Sequence, residues 1–77
     1  MQIEVSLLGQ LHTYTLGNTK KGMIDCPDGS NLEQIVEHLG LPLSEISIAV
    51  VDGNKKNFSY QPKEGEAVSF FPVIVSG

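Results

Sequence analysis

Residues 30–42 read S-N-L-E-Q-I-V-E-H-L-G-L-P, and this stretch predicts the helix on which the fold depends. Leu32, Ile35, Val36 and Leu39 fall at i, i+3, i+4 and i+7, which places them on one apolar stripe of an α-helix. Glu33, Gln34, Glu37 and His38 fall on the opposite, wet face. Ser30 and Glu33 have the S-x-x-E spacing of a capping box, in which each side chain satisfies an amide at the helix start. Gly40 suits the left-handed position that ends a helix, and Pro42 just beyond prevents its continuation.

Outward from this helix the pattern changes to a period of two. Ile3, Val5 and Leu7 alternate with Gln2, Glu4 and Ser6, as in a half-buried strand that Gly9 breaks. The segment from Gln10 to Gly22 has weak β character, with Leu11, Thr13, Tyr14, Thr15 and Leu16 able to extend a hairpin arm. A second strand is predicted from about Lys20 to Cys26, closing at Pro27-Asp28-Gly29. After the helix, Ile46 to Val51 is rich in β-branched residues and reads as a buried strand. Asp52-Gly53 is a hairpin dipeptide, and Phe58 and Tyr60 are expected to anchor a short edge strand. A last strand begins near Glu66, with Val68 and Phe70 facing one way, Ala67, Ser69 and Phe71 the other, and Pro72 near its end. One helix covers only one face of a sheet, so the order β-β-α-β-β-β implies an α+β roll. In it a mixed sheet of about five strands wraps one main helix, and the first and last strands pair in parallel at its centre.

Composition narrows the function. The 77 residues make a single domain, 40% apolar and 18% charged, with a net charge of −4. Five lysines and no arginine give no basic patch with bidentate forks, so nucleic-acid binding is not expected. A single cysteine excludes an internal disulfide and a cysteine-based metal site, and favours a reducing, cytoplasmic location. No apolar run approaches the length of a membrane span, and the N-terminus does not read as a signal peptide.

The last 14 residues, Glu64 to Gly77, read E-G-E-A-V-S-F-F-P-V-I-V-S-G. This segment resembles the C-terminal signature of the ThiS/MoaD sulfur-carrier family, the prokaryotic ubiquitin-like β-grasp proteins: an acidic-glycine turn, an aromatic-rich strand and a glycine-ended tail. Val51-Asp52-Gly53 adds to the likeness, with Asp52 where the family commonly has Asn, and the element order matches along nearly the whole chain. The resemblance implies a β-grasp domain over residues 1–77 with a projecting tail from about residue 73. It further implies a carrier that performs no catalysis itself. A partner adenylating enzyme would use ATP and Mg to turn the Gly77 carboxylate into an acyl-adenylate, which a sulfur nucleophile converts to a thiocarboxylate. The chain itself would bind no cofactor. The downstream partner would be a thiazole synthase or a molybdopterin synthase large subunit. Val73-Ile74 and the short connection after the helix resemble the thiamine-pathway carriers. Phe70-Phe71-Pro72 and the long stretch before the helix resemble the molybdopterin synthase small subunit.

The physical demand on the tail is a slim, extended peptide that threads into another protein's active site, and glycine meets it by lacking a Cβ. Val75 and Ser76 would form the threading segment; Ser76 departs from the family's Gly-Gly ending and narrows the accessible backbone. A β-grasp interaction module that has lost carrier chemistry is therefore the competing reading, and a small subunit inserted into a larger enzyme is a third. Docking is expected on the sheet face away from the helix. With Ile3, Val5, Ile48, Val50, Val68 and Phe70 pointing inward, alternation turns Leu8, Ala49, Val51 and Phe71 outward. Leu8, Val51 and Phe71 are the candidate partner contacts. Cys26, before Pro27 and without a neighbouring histidine, reads as a neutral thiol, and His12 and His38 lack a third ligand at metal spacing.

Overall fold

In the structure, a computed structural model, residues 1–14 and 20–73 are described. The apolar stripe of residues 30–42 forms helix α1, Leu32–Leu39. Its start differs by one residue from expectation. Asn31, with extended φ and ψ of −89° and 174°, is the N-cap: its side chain accepts the Gln34 N–H at 2.8 Å, and Gln34 Oε1 accepts the Asn31 N–H at 2.8 Å. Ser30, spaced as a cap in sequence, instead donates its hydroxyl to the Pro27 carbonyl at 2.7 Å, closing the preceding turn. The helix ends as predicted at Gly40, whose φ of 76° lets its N–H reach Glu37 while Leu41 N–H reaches Val36 at 3.1 Å.

The strands are β1 Gln2–Leu7, β2 Lys21–Asp25, β3 Ile46–Val51, β4 Asn54–Lys56 and β5 Ala67–Pro72. They form one mixed sheet in the order β2-β1-β5-β3-β4, with β1 and β5 parallel at its centre and the other neighbours antiparallel. Ile3, Val5 and Leu7 of β1 and Val68 and Phe70 of β5 face α1, packing with Leu32, Ile35 and Val36 into the core. The result is the expected mixed sheet around one helix.

Three expectations are corrected. The edge strand β4 is Asn54–Lys56, not the Phe58–Tyr60 region. Asp52 and Gly53, both with positive φ, make a two-residue turn that sends the chain straight back along β3. Phe58 and Tyr60 serve the helix instead. Their carbonyls accept the Glu33 and Leu32 N–H groups at 3.0 Å, satisfying donors that the first turn of α1 leaves open. The expected hairpin arm is a 3-10 turn at Leu11–Tyr14 that buries Leu11, and Thr15 and Leu16 lie outside the described residues. Finally, β3 faces the opposite way from its predicted phase. Ile46 pairs with Pro72 but Ile48 pairs with Phe71, so Ser47 is an extra residue on β3. This bulge flips the alternation beyond it, burying Ala49 and Val51 and turning Ile48 and Val50 toward the outer face.

Candidate functional site

The end of β5 defines the candidate site. As the middle strand, β5 is hydrogen-bonded on both sides, and Phe70 is fully buried against α1. Leu8, just past β1, donates its N–H to the Phe70 carbonyl at 3.0 Å, and Val73 N–H donates to Glu45 at 2.9 Å. These bonds hold the chain as far as residue 70 on the β1 flank and residue 73 on the other. Gly9 completes the fit. Its φ is +61°, and a Cβ there would lie 2.6 Å from Pro72 Cγ, so only glycine lets the loop after β1 close over the end of β5.

The surface around this end is apolar. Phe71 points away from the helix, 36% exposed, with Ile48 as its cross-strand partner and Leu8 alongside. These three side chains make a row across β1, β5 and β3. Val73 is exposed at the strand end, and Leu43 is exposed on the 3-10 turn whose last residue, Glu45, holds Val73. Tyr14 is exposed on the other 3-10 turn, which packs against β5. Four of the five exposed large hydrophobic side chains among the described residues therefore lie at the end from which the last residues leave. Met23 on β2 is the exception.

The opposite end of the sheet is polar. The N-terminal ammonium lies 2.9 Å from Asp28 and 3.6 Å from Asp25 and donates to the Cys26 carbonyl at 2.7 Å. Its hydrogen bond to Asp28 raises its pKa above the usual value. Glu66 accepts the Lys63 N–H at 2.6 Å and the Tyr60 hydroxyl at 3.0 Å, and these bonds, that from Lys63 foremost, hold its carboxyl below the usual range. Cys26 is buried beside an open cleft between the Pro27–Ser30 loop and Gln34, Glu37 and His38 of α1. Burial pushes its thiol pKa up, which disfavours the thiolate a nucleophile requires. Among the described residues no cluster of three or more metal-ligating side chains occurs, and no helix is long and apolar enough to cross a membrane.

Of the sequence-derived candidates, Phe71 and Leu8 meet on the outer face. Val51 does not: it is only 2% exposed and faces the helix, because the bulge at Ser47 reverses the strand. Val75, Ser76 and Gly77 lie outside the described residues. Ile48, Leu43 and Tyr14 complete the surface and were not anticipated as contacts. A bulge leaves no mark in an unbroken β-branched run such as Ile46–Val51, so the outward turn of Ile48 was not readable from alternation.

The Mut7-C ubiquitin family profile matches residues 1–76. No curated protein matches the sequence significantly. Among solved structures, SAMP1 of Haloferax volcanii is similar with a TM-score of 0.72 at 13% identity, over 100% of both chains. A Pyrococcus furiosus protein assigned as molybdopterin converting factor subunit 1 is similar with a TM-score of 0.74 at 13% identity, covering 96% of this chain and 99% of that one. A chain from the complex of subunits 1 and 2 of molybdopterin-converting factor from Helicobacter pylori has a TM-score of 0.64 at 19% identity, over 100% of both chains. These likenesses establish the ubiquitin-like β-grasp fold.

Proposed function

The chain belongs to the Mut7-C ubiquitin family, and from that membership we propose that it is a carrier protein whose C-terminal carboxylate is activated by a partner enzyme. In this reading a Gly77 carboxylate oxygen attacks the α-phosphate of ATP, held with Mg by the partner, and pyrophosphate leaves. A sulfide or persulfide sulfur then attacks the acyl carbon of the adenylate, AMP leaves with the bonding electrons, and a thiocarboxylate remains once any persulfide has been cleaved by a reductant. A downstream enzyme takes that sulfur. The chain's own part is mechanical: β5 holds the base of the tail, and the partner's active site supplies the chemistry.

The observation that carries this reading is the position of Val73. It is clamped at the end of the central strand, with four further residues beyond it and an exposed apolar surface around it. Such a surface lets a partner dock without desolvating charge while the tail enters its active site. The Helicobacter pylori complex of subunits 1 and 2 supports a large catalytic subunit as the downstream partner, and hence a molybdopterin-type acceptor ahead of a thiazole synthase.

Ser76 favours a second reading, a β-grasp module that docks through the same face without carrying sulfur. One experiment separates the two. The intact mass is measured after incubation with candidate adenylating enzymes, ATP, Mg and a sulfide source. Replacement of one oxygen by sulfur, absent in a Gly77 deletion, is the expected result. A folded protein that binds those enzymes through Phe71 yet never gains sulfur would leave the docking module.

A further inference from the structure

The strand β2 is an edge of the sheet, and its hydrogen-bonding phase is set by its pairing with β1. Cys26 exchanges bonds with Met1, and Leu7 N–H donates to the Lys20 carbonyl at 2.7 Å. In an antiparallel ladder such pairs alternate, so Lys20, Gly22, Ile24 and Cys26 turn their backbone groups toward β1. Lys21, Met23 and Asp25 turn theirs toward the open edge, and no backbone group among the described residues bonds them there. The side chains of these three residues share the outer face with Gln2, Glu4 and Ser6, their cross-strand partners.

We propose that β2 pairs antiparallel with β2 of a second copy of this chain, about a two-fold axis at Met23. In that register Met23 faces its own copy, Lys21 faces Asp25 of the second copy, and Asp25 faces its Lys21. All three residues with outward backbone groups then meet residues of the same phase, and each facing pair forms two hydrogen bonds. The charges match as well: each lysine ammonium lies on the same face as, and beside, the facing carboxylate. Lys21 is 64% exposed and 3.5 Å from Glu4, and the Asp25 side chain is 81% exposed and 3.6 Å from the N-terminal ammonium; both pairs are long and solvated, so both side chains can turn to the new partner. Met23, 57% exposed, is the one large exposed hydrophobic among the described residues away from the tail end, and it sits at the centre of this interface.

Edge strands of natural proteins are commonly guarded by charge against such pairing. Here the guard is self-complementary, because a lysine and an aspartate placed symmetrically about Met23 repel an in-register parallel copy, lose their partners in a copy shifted by two residues, and attract this one. The arrangement is isologous and closes at two chains. Strand β5 runs antiparallel to β2, so the two tails leave from opposite ends of the joined sheet and neither obstructs the other. The pairing is independent of whether the tail carries sulfur.

Sedimentation equilibrium of the 77-residue chain from about 1 μM to about 1 mM tests it, together with hydrogen exchange over the same range. The expected result is a monomer–dimer equilibrium in which the Lys21, Met23 and Asp25 amides gain protection with concentration. Met23→Pro removes a donor that only the second copy uses, leaves the β1 ladder intact, and is expected to raise the dimer Kd at least about tenfold. Lys21→Glu alone dissociates the dimer by placing like charges opposite each other, and adding Asp25→Lys restores it with the charges exchanged. A chain that stays monomeric throughout, or a dimer that survives Met23→Pro and Lys21→Glu in folded variants, overturns the proposal.

Discussion

The two ends of the sheet are built on opposite principles. At the end where β1 begins, the N-terminal ammonium, Asp25, Asp28, Glu64, Glu66, Tyr60 and Asp52 meet turns and strand ends through hydrogen bonds and ion pairs. At the end where β5 finishes, Leu8, Phe71, Leu43, Tyr14 and Val73 stand partly or largely in solvent. The polar groups of the first end find partners within the chain. The side chains of the second have no such closure: Tyr14, Leu43, Phe71 and Val73 keep 36–44% of their area in solvent, apolar surface that the chain itself leaves uncovered. The contrast separates residues whose loss costs stability alone from residues whose loss, in the proposed reading, also costs binding.

The largest expected effect comes from a residue at the apolar end that belongs to folding alone. Gly9→Ala adds a Cβ at positive φ and against Pro72, and it should cost roughly 2–4 kcal/mol in denaturant unfolding. It would place the apolar end's structural demand more in the backbone of residues 8–9 than in its exposed side chains. A loss below about 0.5 kcal/mol would show that the loop relaxes away from β5 and that the clamp on the tail is loose.

Next in size is Phe71→Ser, which removes a ring only 36% exposed and should cost roughly 1–2 kcal/mol of stability, while in the proposed carrier reading it lowers kcat/KM for adenylation by roughly tenfold or more. The loss should fall on KM, because Phe71 is distant from the reacting carboxylate along the chain. Asp28→Asn, at the polar end, should leave that KM unchanged. Equal effects of the two substitutions on KM would erase the division between the ends.

Much of this division is legible in the residues themselves, and the exceptions share a cause. The apolar stripe of α1 and the outward turn of Phe71 follow from periodicity within one element, the stop at Gly40 from its glycine followed by Pro42, and the parallel pairing of β1 with β5 from the element order around a single helix. What periodicity missed depends on contacts between elements. The cap moved from Ser30 to Asn31 because Ser30 closes the preceding turn on Pro27. Phe58 and Tyr60 left the sheet because their carbonyls serve the helix start. Val51 turned inward because an extra residue at Ser47 is fixed by the pairing with β5, which β3 alone does not encode. Leu43 and Tyr14 sit on short 3-10 turns with no repeat long enough to show a face.

A smaller effect belongs to Glu66 at the polar end. Its carboxylate accepts from Lys63 and Tyr60, which lowers its pKa from the ordinary 4.5. A depressed carboxyl contributes stability that is present above its unfolded pKa and is lost as the pH falls through the folded one. Glu66→Gln should therefore cost about 1 kcal/mol near neutral pH and progressively less in acid, where the native carboxyl is itself protonated. A cost that persists unchanged in acid would assign the contribution to shape and not to charge.

The smallest effect, and the one with the opposite pH signature, is the N-terminal ammonium. Its pKa is raised above the ordinary 8.0 chiefly by the hydrogen bond to Asp28. A raised amine contributes stability that is fully present below its unfolded pKa and is lost as the pH rises through the folded one. Both carboxylates beside it are highly exposed, at 81% and 90%, so water and salt screen the pair. Unfolding curves of the unmodified chain and of Asp28→Asn, measured across neutral and alkaline pH, should differ at neutral pH and converge as the amine deprotonates. Other groups titrate in the same range but do so in both proteins, so the difference isolates the pair. A constant difference across that range would mean that Asp28 acts through the turn it occupies, and its pair with the ammonium would then have no part in holding the polar end.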